Sequence, residues 1–172
     1  SAELIRTLKS YETEDISKLM GLSSNLAFLN FERYQSWKKP TKPSADARQA
    51  VFAFQGDVYQ GLEAATMKKS DLKFAQKHLR ILSGLYGVLK PLDLMAPYRL
   101  EMGTKLATKK HDDLYGFWKD TLTADINAQL AEQKDSTLIN LASNEYFNAL
   151  NKKDIAGDIV SPVFKDYKNG DY

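Results

Sequence analysis

The stretch Arg80-Ile-Leu-Ser-Gly-Leu-Tyr-Gly-Val-Leu-Lys-Pro-Leu-Asp-Leu-Met-Ala-Pro-Tyr-Arg-Leu-Glu-Met-Gly-Thr-Lys105 decides how the rest of the chain is read. It is entered through an apolar run, Leu79-Arg-Ile-Leu82, that ends in Ser83-Gly84 and predicts a short buried strand running into a glycine turn. Gly84 and Gly87 frame Tyr86. Both can take backbone angles closed to other residues, so a ligand or another part of the chain can come close. Lys90-Pro91 and Pro97-Tyr98-Arg99 follow. Each proline drives the residue before it toward extended geometry, which makes this part a rigid loop more than a helix. A strand that delivers a Ser/Gly/Tyr/Lys/Arg loop is how α/β proteins build a site at the carboxyl ends of their strands. The plainer reading is a tightly packed corner with Tyr86 and Tyr98 as core aromatics.

A chain of 172 residues, 43% hydrophobic and 27% charged, is long enough for one domain with its own core. Residues 1–172 are therefore read as one domain. No apolar run approaches a membrane span, no signal peptide is visible, and no membrane partner is expected. The absence of cysteine excludes disulfides and thiolate metal sites and makes the cytoplasm the expected location. The two histidines, His78 and His111, do not form a metal-binding pair, so no metal site is expected. A net charge of +2 is too small to imply nucleic-acid binding, and any basic face must come from local clustering.

Outward from the central block, residues 1–10 predict a helix with Leu4, Ile5 and Leu8 on one side. Thr13 caps a second helix that stops at Gly21, and Ser23 caps a third that carries Leu26, Ala27, Asn30, Tyr34 and Trp37. Across residues 13–37, Ile16-x-x-Leu19-Met20-Gly21-Leu22-Ser23-x-x-x-Ala27 resembles the helix-hairpin-helix DNA-binding motif, with Ser23 where the second glycine of that motif usually stands. The free N–H groups around Gly21, Leu22, Ser23 and Ser24 would face a phosphate, and the helix dipole favours the anion. Such a contact holds the DNA backbone and reads no sequence. The plainer reading is a helical corner packing Leu19, Leu22 and Leu26.

Ala50-Val-Phe-Ala-Phe54 predicts a strand running into Gly56-Asp57-Val58-Tyr59, with Asp57 as a cap or an acid/base group. Ser70-Asp71 opens a helix. Around it Lys68, Lys69, Lys73, Lys77 and Arg80 form the densest positive segment of the chain. Leu114, Trp118, Leu122, Ile126 and Leu130 recur every four residues and predict an amphipathic core helix. Thr137–Leu141 and Ile159–Phe164 predict strands, with Ser143 capping a short helix between them. Asn169-Gly170 signals a hairpin whose second strand is missing, and the first helix lacks a start signal. A chain truncated at both ends is expected. The order of elements predicts an α/β or α+β domain, with a mixed sheet, flanking helices and the N-terminal helix-hairpin-helix.

Phe54-Gln-Gly-Asp-Val-Tyr-Gln-Gly-Leu62, the block from Leu79 through Met102-Gly-Thr-Lys105, Leu114-Tyr-Gly-Phe-Trp118 and Ile139-Asn-Leu-Ala-Ser-Asn-Glu-Tyr146 together resemble the YaaA family of bacterial peroxide-stress proteins. Members of that family begin with a strand and a Ser-Pro-Ala-Lys-type loop and continue past the hairpin with a basic segment. The resemblance implies a cytoplasmic protein that limits free iron and the DNA damage iron causes. It also implies binding to duplex and branched DNA through the helix-hairpin-helix and a positive cleft.

Two functional readings follow. In the first, the chain binds DNA through Gly21, Leu22 and Ser23, with Lys68, Lys69, Lys73, Lys77 and Arg80 supplying attraction. In the second, the chain is an enzyme or small-ligand binder in which three loops meet in one pocket for a phosphorylated or nucleotide-like ligand. These loops are Gly56, Asp57 and Tyr59; Ser83, Gly84, Tyr86 and Gly87; and Ser143, Glu145 and Tyr146. Lys90, Tyr98, Arg99 and Lys105 join them. No nucleophile–base pair and no Walker or Rossmann fingerprint is present, so a binding protein without a cofactor is expected rather than an enzyme.

Overall fold

The computed structural model describes residues 1–165. Buried Leu4, Ile5 and Leu8 line one side of α1 (Ala2–Leu8). Next come α2 (Thr13–Met20) and α3 (Ser24–Ser36). The cap of α2 lies one residue earlier than expected. Glu12 takes that place, and its N–H donates to the Asp15 carboxylate at 3.0 Å. Ser23 does cap α3. That helix buries Ala27, Asn30 and Tyr34 but leaves Leu26 exposed. Asn30 is tolerated in the core because its side-chain amide donates to the Leu26 carbonyl at 2.8 Å. Tyr34 and Trp37 anchor α3 to the central block. The Tyr34 hydroxyl donates to the carbonyl of Arg99, and the indole N–H of Trp37 donates to the Tyr86 hydroxyl at 3.0 Å.

The apolar run at Ala50 is not a strand. Residues Arg48–Gln49 form the short β1, and Ala50–Ala53 then close one helical turn, α4. The N–H groups of Ala50 and Val51 donate to Asp93 and Pro91 carbonyls at 2.8 and 2.9 Å, which starts the turn against the central loop. A short apolar run alone cannot separate a buried strand from a buried helical turn. Asp57–Leu62 form α5, capped by Gly56, so Asp57 sits in its first turn and not at the cap. A 3-10 turn, Ala64–Thr66, leads to α6 (Lys69–His78). The start of α6 falls just before Ser70, where the Asp71 carboxylate accepts the Lys68 N–H at 2.9 Å.

The central block forms β2 (Ile81–Ser83), β3 (Gly87–Leu89) and β4 (Leu94–Met95), and the amphipathic pattern at Leu114 forms α7 (Leu114–Ala131). Thr137–Ile139 (β5), Asn144–Phe147 (α8) and Asp158–Val160 (β6) complete the described elements. The mixture of helices and small sheets is the α/β or α+β arrangement expected. The strands do not join one sheet among the described residues. They lie in three two-stranded pieces: β1–β4 and β2–β3 antiparallel, β5–β6 parallel. The Asn169-Gly170 hairpin lies outside the described residues.

Two apolar clusters hold these pieces together. The larger gathers α1, α2, α3 and α7 around Leu85, Leu100, Met102 and Leu106. The smaller is Ala50, Ile81, Leu89 and Met95. Tyr86 and Tyr98 pack against both, so the aromatic corner joins the two cores. Among the described residues, no helix is long and apolar enough to cross a membrane.

Candidate functional site

The turn between α2 and α3 has the shape of a helical hairpin, but two of its four expected donors, those of Gly21 and Leu22, are already spent. Gly21 takes the left-handed conformation, φ 62°, that ends α2. Its N–H and that of Leu22 both donate to the Ser17 carbonyl, the latter at 3.0 Å, and the Ser17 hydroxyl donates to the Leu22 carbonyl at 2.7 Å. Gly21 and Leu22 therefore have no N–H left for a phosphate. Leu22 is buried in the larger core. The donors without a protein acceptor among the described residues are those of Ser23, at the cap, and of Ser24, Asn25 and Leu26 in the first turn of α3. Ser23 and Ser24 are exposed beside them, and the Ser23 side chain makes no cap hydrogen bond. Sequence spacing located the corner but not the cap that consumes its first two donors.

Lys69, Lys73 and Lys77 recur at every fourth position of α6 and, with Lys68 at its start, are exposed. The same helix exposes Phe74, whose ring lies 4.3 Å from that of His78. Arg80 is different. Its guanidinium donates to the Gln76 and Leu79 carbonyls at 3.1 and 2.7 Å and to the Gln129 side chain, tying the end of α6 to α7. Arg80 is thus a strut already supplied with acceptors, unlike the four lysines.

The three loops do approach one another. Tyr59, Tyr86 and Tyr98 pack on the smaller core cluster, and Tyr146 lies close enough for its charge to act on Tyr98. The Ser83 hydroxyl, fully buried, pairs with the Tyr98 hydroxyl at 2.5 Å and accepts the Tyr86 N–H at 2.9 Å. The Tyr86 hydroxyl accepts from Trp37 and from the Ala96 N–H at 2.9 Å. Burial raises the pKa values of Tyr59, Tyr86 and Tyr98 above the usual phenol range. Burial and the neighbouring Glu145 charge push Tyr146 up to about 12. The third loop is clamped to the central block by Glu145, which accepts the Gly103 N–H at 2.7 Å.

Neither of the two grooves beside these loops collects all three. Gly84 and Gly87 do not hold space for a ligand. A Cβ on Gly84 would stand 2.2 Å from the Leu100 carbonyl oxygen, and one on Gly87 would stand 2.8 Å from the Trp118 ring. The chain itself makes the close approach, so the packed-corner reading describes Ser83–Gly87. Lys90 belongs to a turn closed by its N–H to Asp93 at 2.8 Å. Arg99 pairs with Glu101 at 2.7 Å, and Lys105 is exposed. Two grooves remain. One, about 490 Å³, lies at the carboxyl ends of β5 and β6, between Asn140, Asn144, Ser161 and Phe164, and Ser143 is not among its lining residues. The other, about 460 Å³, contains Gly56 and Tyr59 and is walled by Phe54, Glu63 and Thr66. Phe54 and Glu63 carried no sequence signal of a site.

Comparison with known proteins agrees with the block of motifs around Arg80–Lys105. The family profile described as "Peroxide stress protein YaaA" matches residues 1–172. A UPF0246 protein of Teredinibacter turnerae is 53% identical over 172 residues, which is 100% of this chain and 67% of the relative. UPF0246 proteins of Saccharophagus degradans and Shewanella woodyi are each 54% identical over the same span, with the same 67% of their length covered. The chain belongs to the YaaA family of peroxide-stress proteins.

Proposed function

We propose that this peroxide-stress protein acts by binding DNA, duplex or branched and with little regard to sequence, and so limits iron-dependent damage to it. The observation that carries this reading is the start of α3. Four successive N–H groups, those of Ser23, Ser24, Asn25 and Leu26, lack acceptors among the described residues at an exposed helix terminus reached by a tight turn. The positive end of the helix dipole favours a phosphate there. The exposed lysines of α6 supply long-range attraction. In this reading the protein meets DNA in the cytoplasm.

Fluorescence anisotropy with full-length protein, a duplex and a four-way junction tests this over a salt series. Binding that weakens steeply with salt, and weakens again in Ser24→Pro, is expected. Affinity that is flat in salt, or unchanged in a folded Ser24→Pro variant, removes the hairpin from the interface.

A further inference from the structure

The groove framed by α4, α5 and the following 3-10 turn is used by neither the hairpin nor the basic helix. Its volume, about 460 Å³, falls in the range of about 300–1,000 Å³ typical of small-molecule sites. Phe54 and Tyr59 form an aromatic platform in its wall, their rings stacked with centroids 5.3 Å apart and planes inclined by 19°. Gln55, Gln60 and Glu63 add polar groups to the same wall. Glu63 is the one non-glycine residue with positive φ among the described residues, at 45°. That conformation costs on the order of 1–2 kcal/mol for an L-residue and ends α5, where the Glu63 N–H donates to the Tyr59 and Gln60 carbonyls, both at 3.2 Å. The Glu63 carboxylate makes no ion pair among the described residues. The chain leaves the groove at Thr66 and reaches exposed Lys68 and Lys69 two and three residues later.

This combination suits a flat ring with hydrogen-bond donors on its edge and a phosphate on its tail. Aromatic side chains take the face of a base. A carboxylate offers two acceptor oxygens that match paired N–H donors. Guanine presents such a pair side by side on its Watson–Crick edge. Thymine presents one N–H between two carbonyl oxygens, which a carboxylate repels. Lys68 and Lys69, two and three residues past Thr66, supply the charge for the phosphate. We propose that the Phe54–Thr66 groove binds the base of an unpaired guanine nucleotide, either displayed by a DNA strand or free in solution. The strand-borne case rests on the DNA-binding reading above. The free-nucleotide case does not.

The test uses the full-length protein with three otherwise identical duplexes: fully paired, with one unpaired dG, and with one unpaired dT. Calorimetric titration with GMP forms a separate arm. About tenfold tighter binding to the dG bulge than to the dT bulge is expected, in line with a bidentate base contact. Glu63→Gln abolishes that preference while leaving paired-duplex affinity unchanged, and Phe54→Leu weakens both bulges. Glu63→Asn, which tolerates the left-handed conformation, provides a variant whose fold is not in question. GMP binding that is lost in Glu63→Gln assigns the groove to free nucleotide as well, and GMP binding without any duplex binding keeps the groove and removes the DNA reading. Equal affinity for the two bulges, together with no GMP binding or with GMP binding unaffected by Glu63→Gln and Glu63→Asn, overturns the proposal.

Discussion

The indole N–H of Trp118 donates to the carbonyl of Gly84 at 2.8 Å, and the same ring lies where a Cβ on Gly87 would stand. One side chain from α7 thus fills the turn that the two glycines create. The Gly87 backbone, φ 81°, is also one that residues with a Cβ rarely adopt.

The first prediction concerns that turn. Gly84→Ala would set a methyl 2.2 Å from the Leu100 carbonyl oxygen, a backbone atom that cannot swing away. Unfolding in urea should show a loss of about 4 kcal/mol or more, or no folded protein at all. Trp118→Phe leaves the buried Gly84 carbonyl without its partner and should cost about 1–3 kcal/mol. A Gly84→Ala variant of near-native stability would show that the 100–101 segment is free to move.

The two glycines also show where sequence reading stops. Their need for close approach was legible, but the approaching group was not. A Cβ-free position is equally consistent with a ligand and with Leu100 from 16 residues further along the chain. The helix Leu114–Ala131 was legible because its apolar residues repeat over five turns. Ala50–Ala53 was not, because four apolar residues carry no period and the Asp93 and Pro91 carbonyls decided their form. Glu63 takes the left-handed conformation where α5 ends, a place that Gly or Asn usually announces and glutamate does not.

The hairpin yields a second prediction, a pair of opposite outcomes. Gly21 has a positive φ but open space around it, so Gly21→Asn, which accepts that conformation, should change stability by under about 1 kcal/mol and leave DNA affinity intact. Ser24 is the first residue of α3 and follows extended Ser23, ψ 155°. Proline is well accepted there, so Ser24→Pro removes one N–H while keeping the helix. Circular dichroism should be native and DNA binding weakened by about tenfold, the scale of one charge-assisted hydrogen bond. If Gly21→Asn loses binding and Ser24→Pro does not, the donors lie in the turn after all.

Alkaline pH provides a third. The Tyr146 hydroxyl ionises near 10 when exposed and is pushed up to about 12 in the fold. Tyr59, Tyr86 and Tyr98 are raised as well. Between these values the folded state holds protons that the unfolded chain has released. Stability is therefore fully present below pH 10 and falls as pH rises toward 12. Tyrosinate absorbance should lag behind that of a denatured control over this range, then jump with loss of the circular dichroism signal. Titration of all nine tyrosines near 10 in the folded protein would show that the cluster is open to water.

The last prediction separates Arg80 from its lysine neighbours. All lie in one basic segment, but Arg80 is tied to Gln76, Leu79 and Gln129 while Lys69, Lys73 and Lys77 are exposed along one helix. Replacing the three lysines with glutamine should leave the melting curve within a few tenths of a kcal/mol of wild type, as surface changes do. It should make the logarithm of DNA affinity less steep against the logarithm of salt, by roughly 0.9 for each phosphate that the protein no longer neutralises. Arg80→Gln should do the reverse. The substitution frees the Gln129 amide and uncouples α6 from α7, costing about 1–2 kcal/mol of stability, with little change in salt slope. If Arg80→Gln flattens the salt dependence and the triple lysine variant does not, the basic helix is a solvated face and the phosphates are held nearer β2.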